Sequence, residues 1–264
     1  ISSDMSTTST YAAALKRILS DLTYYIDLST YIFGTMGCIG NLIAFSSRQM
    51  RRSSAALYLI SATVSQLVTI LVCVGFRLFY DHSSSNLMNE SIVFCKFRYY
   101  LAVALPALAS YFMSLATFDR FLCASNNGEL RAWCQPKIAK RFIMIMVLVG
   151  IIIPIHIPIQ FNIYNNLCQT SPGSAYIFIY GGYLILVVIF LPHILMFVFS
   201  LITLMIMRKS RKRVIPELTV TGNNLPNHRR KLELKLIKVI LVSRINLQVV
   251  FLCFNFRSLS CKYF

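Results

Sequence analysis

Residues 95–121 read CKFRYYLAVALPALASYFMSLATFDRF, an apolar run with a cysteine at one end and Asp119-Arg120 at the other. The twenty positions between Arg98 and Asp119 carry no charged side chain. That is the length an α-helix needs to cross the roughly 30 Å hydrocarbon core of a bilayer. Cys95 and Arg120 are twenty-five residues apart, and at about 1.5 Å of rise per residue that helix is roughly 37 Å long. It is just longer than the hydrocarbon, so one end is expected at each membrane surface.

Composition points the same way. Of the 264 residues, 56% are hydrophobic and 13% charged, which excludes an ordinary soluble globular domain. A net charge of +17 could suggest nucleic acid. In a membrane protein the more economical cause is lysine and arginine held on the cytoplasmic side, and no nucleic-acid partner is expected. The eight cysteines form no CxxC pair and no His/Cys cluster at metal-ligand spacing, and the four histidines are scattered. No metal, no cofactor and no enzyme chemistry is therefore read from the sequence, and most cysteines are taken as small hydrophobes.

Outward from the central run, four more apolar stretches are long enough to span: about Tyr24 to Phe45, Ala55 to Phe76, Phe142 to Gln160 and Ala175 to Met207. Residues 1–23 are Ser/Thr-rich and are expected to form a short exposed tail, with either Met5 as the true start or some residues missing before Ile1. Pro154 and Pro158 predict a kink near one end of the fourth stretch. His156, between them, reads as a satisfied core group rather than a ligand-binding residue. Asn41 needs amide partners because hydrocarbon offers none, whether a neighbouring helix or any nearby carbonyl. Asn89-Glu90-Ser91 is an N-glycosylation acceptor triplet, which makes Asn89 a glycosylation candidate.

Lysine and arginine test the topology. Three lie in Arg48 to Arg52, five in Arg120 to Arg141 and ten in Arg208 to Lys238, eighteen of the 26 in segments that this path assigns to one side. The opposite loop Phe161 to Gly173 has none. The bias is that of an outside amino terminus.

An Asp-Arg-aromatic triplet at the inner end of a span, with a cysteine twenty-five residues earlier at its outer end, resembles the third helix of rhodopsin-like seven-helix G-protein-coupled receptors. Asp119-Arg120-Phe121 stands where that family has Asp-Arg-Tyr. The resemblance implies a disulfide between Cys95 and Cys168 of the second outer loop, and a helix-tying amide at Asn41 of Gly40-Asn41. It also matches Pro192 to the family's fifth-helix proline and sets Glu233 to meet Arg120 in an inactive state. Arg120 would be held by Asp119 and Glu233, and released when ligand binds. The implied fold is an all-α transmembrane bundle with about five clear spans plus a partial sixth. Its partners would be a heterotrimeric G protein, the lipid bilayer and an unknown extracellular ligand, at the plasma membrane.

The family's membrane-embedded aspartate is replaced by Ser65, and Ala109 stands where a serine is usual. A hydroxyl without a carboxylate is a poor site for a hard cation, so no sodium is expected there. Ser200 replaces a tyrosine of the fifth helix, and Ala102 replaces the aspartate of amine receptors, which argues against a biogenic amine. Phe97, Tyr99 and Tyr100 at the outer end of the third helix favour a peptide ligand, or else form an interfacial aromatic belt.

The resemblance covers 24–238. Beyond it, Ser243-Arg244 interrupts the apolar run, Cys-Trp-x-Pro and Asn-Pro-x-x-Tyr motifs are absent, and 239–264 reads as an atypical segment replacing the end of helix six and helix seven. A non-signalling truncated receptor paralogue is the alternative. A transporter or channel subunit would need mid-span charges and an internal repeat, neither of which is visible before Arg244.

Overall fold

A computed structural model describes residues 2–47, 50, 53–82, 91–125, 127–164, 167–171 and 175–214. The sequence expectations for Asn89, Glu233, the sixth-span region and segment 239–264 lie outside the described residues. Among those described, five helical stretches are long and apolar enough to cross a membrane: Ser20–Phe45, Ser54–Phe79, Ile92–Ala124, Pro136–Gln160 and Tyr176–Met207. They are the first to fifth spans below. The chain is a membrane-embedded helical protein.

The third span is the axis. Of its most apolar window 61% is buried, against 50% in the second span and 11% in each of the other three. Small residues allow this: Ala102, Ala104, Ala109 and Ala116 are all buried and let neighbours approach closely. Two cores lie along it. Tyr99, Val103 and Ala107 pack with Ile157, Phe161 and Tyr180 towards the Cys95 end. Leu108, Phe112 and Ala116 pack with Phe45, Tyr58 and Ala139 towards the Asp119 end. The outer spans turn their large side chains away from both cores, as with Phe33 and Phe178, where lipid tails replace water as solvent.

The first helix runs unbroken from Ser2 to Phe45, 44 residues. Residues 2–23, expected as a tail, are therefore helical; no glycine or proline interrupts the chain before Gly34, so nothing stops the helix. Within the second span a π-helical turn, Ile70–Val74, separates α-helical Ser54–Thr69 from Gly75–His82. The fourth span is interrupted at Pro154, the first of the two prolines expected to kink it. Its α-helix gives way to a 3₁₀ turn at Ile153–Ile155, around buried Pro154, before resuming at His156.

In the fifth span another π-helical stretch, Leu184–Phe190, comes just before Pro192. Proline has no N–H to continue the ladder. Third-span hydroxyls meet the carbonyls around it: Tyr111 donates to Val187 O at 2.7 Å and Ser114 to Pro192 O at 2.9 Å. Pro192, fully buried, thus sits where the third and fifth spans are tied together.

Fourth and fifth spans are joined by an antiparallel hairpin, β1 Phe161–Tyr164 and β2 Leu167–Thr170, with Ile163 opposite Cys168. Sequence patterning gave only an uncharged loop here.

Candidate functional site

The candidate site is the third span read from end to end. Its helix is capped by Ser91, whose hydroxyl accepts from the Phe94 N–H, and starts at Ile92, three residues before Cys95. Cys95 is bonded to Cys168 with Cα atoms 5.7 Å apart, which fastens β2 to the head of the span. Phe161 of β1 stacks on Tyr99 with ring centroids 4.2 Å apart, and Tyr180 meets Phe161 edge-on at 5.4 Å. His156 presents its ring to Tyr183 at 4.9 Å and keeps Nδ1 2.9 Å from Ile153 O. Its ring nitrogen and its ring have partners within the protein, but it is half-buried rather than part of the core expected from the sequence.

The three aromatics expected to form an outer surface diverge instead. Tyr99 is buried beneath the hairpin, Tyr100 donates to Ile151 O on the fourth span at 2.9 Å, and Phe97 stays exposed. On a helix Phe97 and Tyr100, three apart, share a face, whereas Tyr99 points away from both.

The same end holds a feature that the sequence reading missed. Arg77 Nε lies 2.9 Å from Asp27 Oδ2, joining first and second spans through a pair in which both side chains are nearly sealed from solvent. The signal was present: an acid inside an apolar run calls for a basic partner.

At the other end the three residues of Asp119-Arg120-Phe121 part company. Asp119 is buried and accepts from Ser54 Oγ, at the start of the second span, at 2.7 Å. Phe121 stacks on Phe199 of the fifth span at 5.8 Å, with Phe118 at 4.9 Å from the same ring. Arg120 is exposed, and no ion pair joins it to Asp119. Consecutive helical residues point about 100° apart, so Asp119 reaches the second span while Arg120 faces outward. Asp119 takes a hydrogen bond from Ser54 and makes no salt bridge with Arg120, whose charge still acts on it at longer range. The other expected partner of Arg120, Glu233, lies outside the described residues.

Asn41 is half-buried, and among the described residues no hydrogen bond ties it to a neighbouring helix. Ser65 returns its hydroxyl to Ser61 O at 3.0 Å on its own helix.

Cys134 also belongs to the Asp119 end. Asn127 caps the short helix Gly128–Ala132 by accepting from Glu129 N–H, and the turn after it leads to Pro136, the first residue of the fourth span. That path brings Cys134 to Cys123, and the two are bonded with Cα atoms 5.5 Å apart. The sequence reading had paired only Cys95 and Cys168. An eleven-residue separation matches no motif, and it is the helical turn that folds the loop back. Asp119, Cys123 and Cys134 place their ligand atoms within 4.8 Å of one another.

A buried ion pair and an anchored hairpin at one end, with a seated acid and an exposed arginine at the other, define a polytopic helical membrane protein organised on one central span. No protein-family model matches the chain, and no curated protein matches it as a relative.

Proposed function

We propose that the chain is a receptor of the rhodopsin-like, G-protein-coupled kind, with an extracellular ligand and a heterotrimeric G protein as its partners. One observation carries the reading: a single central helix holds Cys95, bonded to Cys168 at one end, and Asp119-Arg120-Phe121 at the other. A ligand that touches the hairpin or the rings beneath it acts on the head of that helix. The G protein meets Arg120 at its foot. Ligand favours whichever bundle arrangement it binds better, and the same arrangement changes affinity at the foot by linkage.

Two links would carry such a change. Asp119 on Ser54 couples the foot to the second span, and Phe121 on Phe199 couples it to the fifth. The ligand class is a peptide in this reading, although Tyr99 and Tyr100 are engaged within the protein and leave Phe97 as the exposed member of the three. A transporter reading is weaker. It calls for a chain of intramembrane charges, and among the described residues the buried ion pair is Asp27 with Arg77, near one end.

The test has two arms. Epitope tags after Met5 and within 219–227 should stain outside and inside respectively on intact cells. Nucleotide exchange on a panel of purified Gα proteins should be stimulated by the full chain in nanodiscs, at least with a peptide library present, and Arg120→Ala should abolish it. Reversed staining, or no exchange with any Gα under any condition, overturns the proposal.

A further inference from the structure

We propose that Asp119, Cys123 and Cys134 form a binding site for a divalent ion of the zinc class, open when the Cys123–Cys134 disulfide is reduced. The site is separate from the exposed Arg120 surface. It lies where three segments converge: the foot of the third span, the start of the second and the loop leading to the fourth.

The geometry supplies the donors. Cys123 Sγ lies 3.9 Å from Asp119 Oδ2, Cys134 Sγ lies 3.5 Å from Ser54 Oγ, and Ser54 Oγ lies 2.7 Å from that same Oδ2. The three ligand atoms already fall within 4.8 Å of one another. Ligands at about 2.0–2.3 Å around a tetrahedral ion stand roughly 3.4–3.8 Å apart, so the carboxylate is already close to its distance from Cys123, and the two sulfurs, bonded at about 2 Å in the disulfide, move apart by roughly 2 Å once it is reduced. Ser54 plays the second-layer part: its hydrogen bond to Oδ2 orients the carboxylate. Water fills the fourth position.

Charge agrees as well. Two thiolates and one carboxylate around a divalent ion leave one net negative charge. Arg120, Arg131, Lys137, Lys140 and Arg141 lie on the same stretch of chain. Without an ion, Asp119 is an almost wholly buried carboxylate supported by the Ser54 hydrogen bond and the Arg120 charge, and a cation relieves the remaining cost of its burial.

The chemistry balances. Opening the disulfide takes two electrons and two protons from a small-molecule thiol, two molecules of which leave as their own disulfide. The ion then displaces two thiol protons to solvent as Cys123 and Cys134 bind as thiolates. If this end faces the cytosol, as the receptor reading has it, the dithiol form is the resident one. Metal binding itself does not depend on that reading.

Cobalt(II) is the probe, because thiolate ligation gives a sulfur-to-metal charge-transfer band. The full chain in nanodiscs is reduced, freed of reductant without oxygen and titrated with cobalt, then back-titrated with zinc. One cobalt per chain is expected, with the band lost in Cys123→Ser and in Cys134→Ser and unchanged in Cys38→Ser and Cys73→Ser, the free cysteines of the first and second spans. Asp119→Asn should weaken binding by about tenfold or more. A second measurement needs no variant: zinc should protect Cys123 and Cys134, but not Cys38 or Cys73, from alkylation read by mass spectrometry. A reduced chain without the band, a band that survives Cys123→Ser, or no zinc protection overturns the proposal. Neither measurement reads signalling, so a chain that binds cobalt yet stimulates no Gα keeps this site and loses the receptor reading.

Discussion

Arg77 and Asp27 meet at 2.9 Å between the second and first spans, with their side chains 5% and 6% exposed. Two charges sealed inside an apolar bundle support each other, and removing either takes the nearest opposite charge from a buried partner. The first span has few other anchors, since only 11% of its apolar window is buried. Asp27→Asn and Arg77→Met should each lower stability by about 3–5 kcal/mol, whereas Asp27→Leu with Arg77→Met together should cost far less. Thermal unfolding in one detergent would compare the three. Equal losses in single and double variants would mean that the pair contributes little to joining the spans.

Gly150 offers a steric test of the second contact that centres the third span. A Cβ built there would collide with the Leu108 side chain, so the fourth span approaches the third only because residue 150 has no side chain. Gly150→Val should destabilise by about 1–3 kcal/mol through overpacking. Leu108→Ala in the same chain should return part of that loss, although Leu108→Ala alone is destabilising. The sign of the coupling is the readout: a strictly additive double variant would put Gly150 and Leu108 out of contact.

The Cys95–Cys168 bond closes a sequence separation of 73 residues and holds β2 over the third span. Cys168→Ser should cost about 2–4 kcal/mol and loosen the hairpin. Peptide mapping without reduction should recover the 95–168 crosslink from folded protein. Free thiols at both positions would detach the hairpin from the helix and remove the main support for the receptor reading.

How much of this was legible in the sequence follows from range. Apolar runs place the five spans to within about six residues at each end, because bilayer thickness sets a length that composition alone can match. Pro154 announced the interruption because its effect is local. The hairpin was not legible, since Phe161 to Thr170 carries no Asn-Gly or Asp-Gly turn signal. Neither π-helical stretch has a local cause at its own residues. The longest-range features were missed altogether: Asp27 with Arg77 is fifty residues apart in sequence, and Ser54 with Asp119 sixty-five. Each member had a sufficient local explanation as a polar residue near a span end, and only the packing of the spans chooses the partner. The resemblance to a receptor family gave Asp119 a role and a neighbour, Arg120. Helical geometry gives the acid a second partner, Ser54, that the resemblance does not name.

Ser54 carries the last prediction. It donates to Asp119 at 2.7 Å and lies 3.5 Å from Cys134 Sγ, so one hydroxyl of the second span touches both the third span and the loop that leads to the fourth. Ser54→Ala removes the donor and leaves Asp119 buried, a loss of about 1–3 kcal/mol or more for a charged acceptor. Ser54→Thr keeps the hydroxyl and should recover most of it. The pairing of Asp119 with its adjacent arginine predicts a different outcome, because Ser54 would then be a bystander and Ser54→Ala nearly silent. Thermal unfolding of Ser54→Ala, Ser54→Thr and Asp119→Asn separates the two. If the bond is the main support of Asp119, Ser54→Ala is the more destabilising serine variant, and Asp119→Asn, which removes the buried charge, offsets part of its loss in the double variant. Additive losses would mean that Ser54 and Asp119 act independently and that the acid is held by something else.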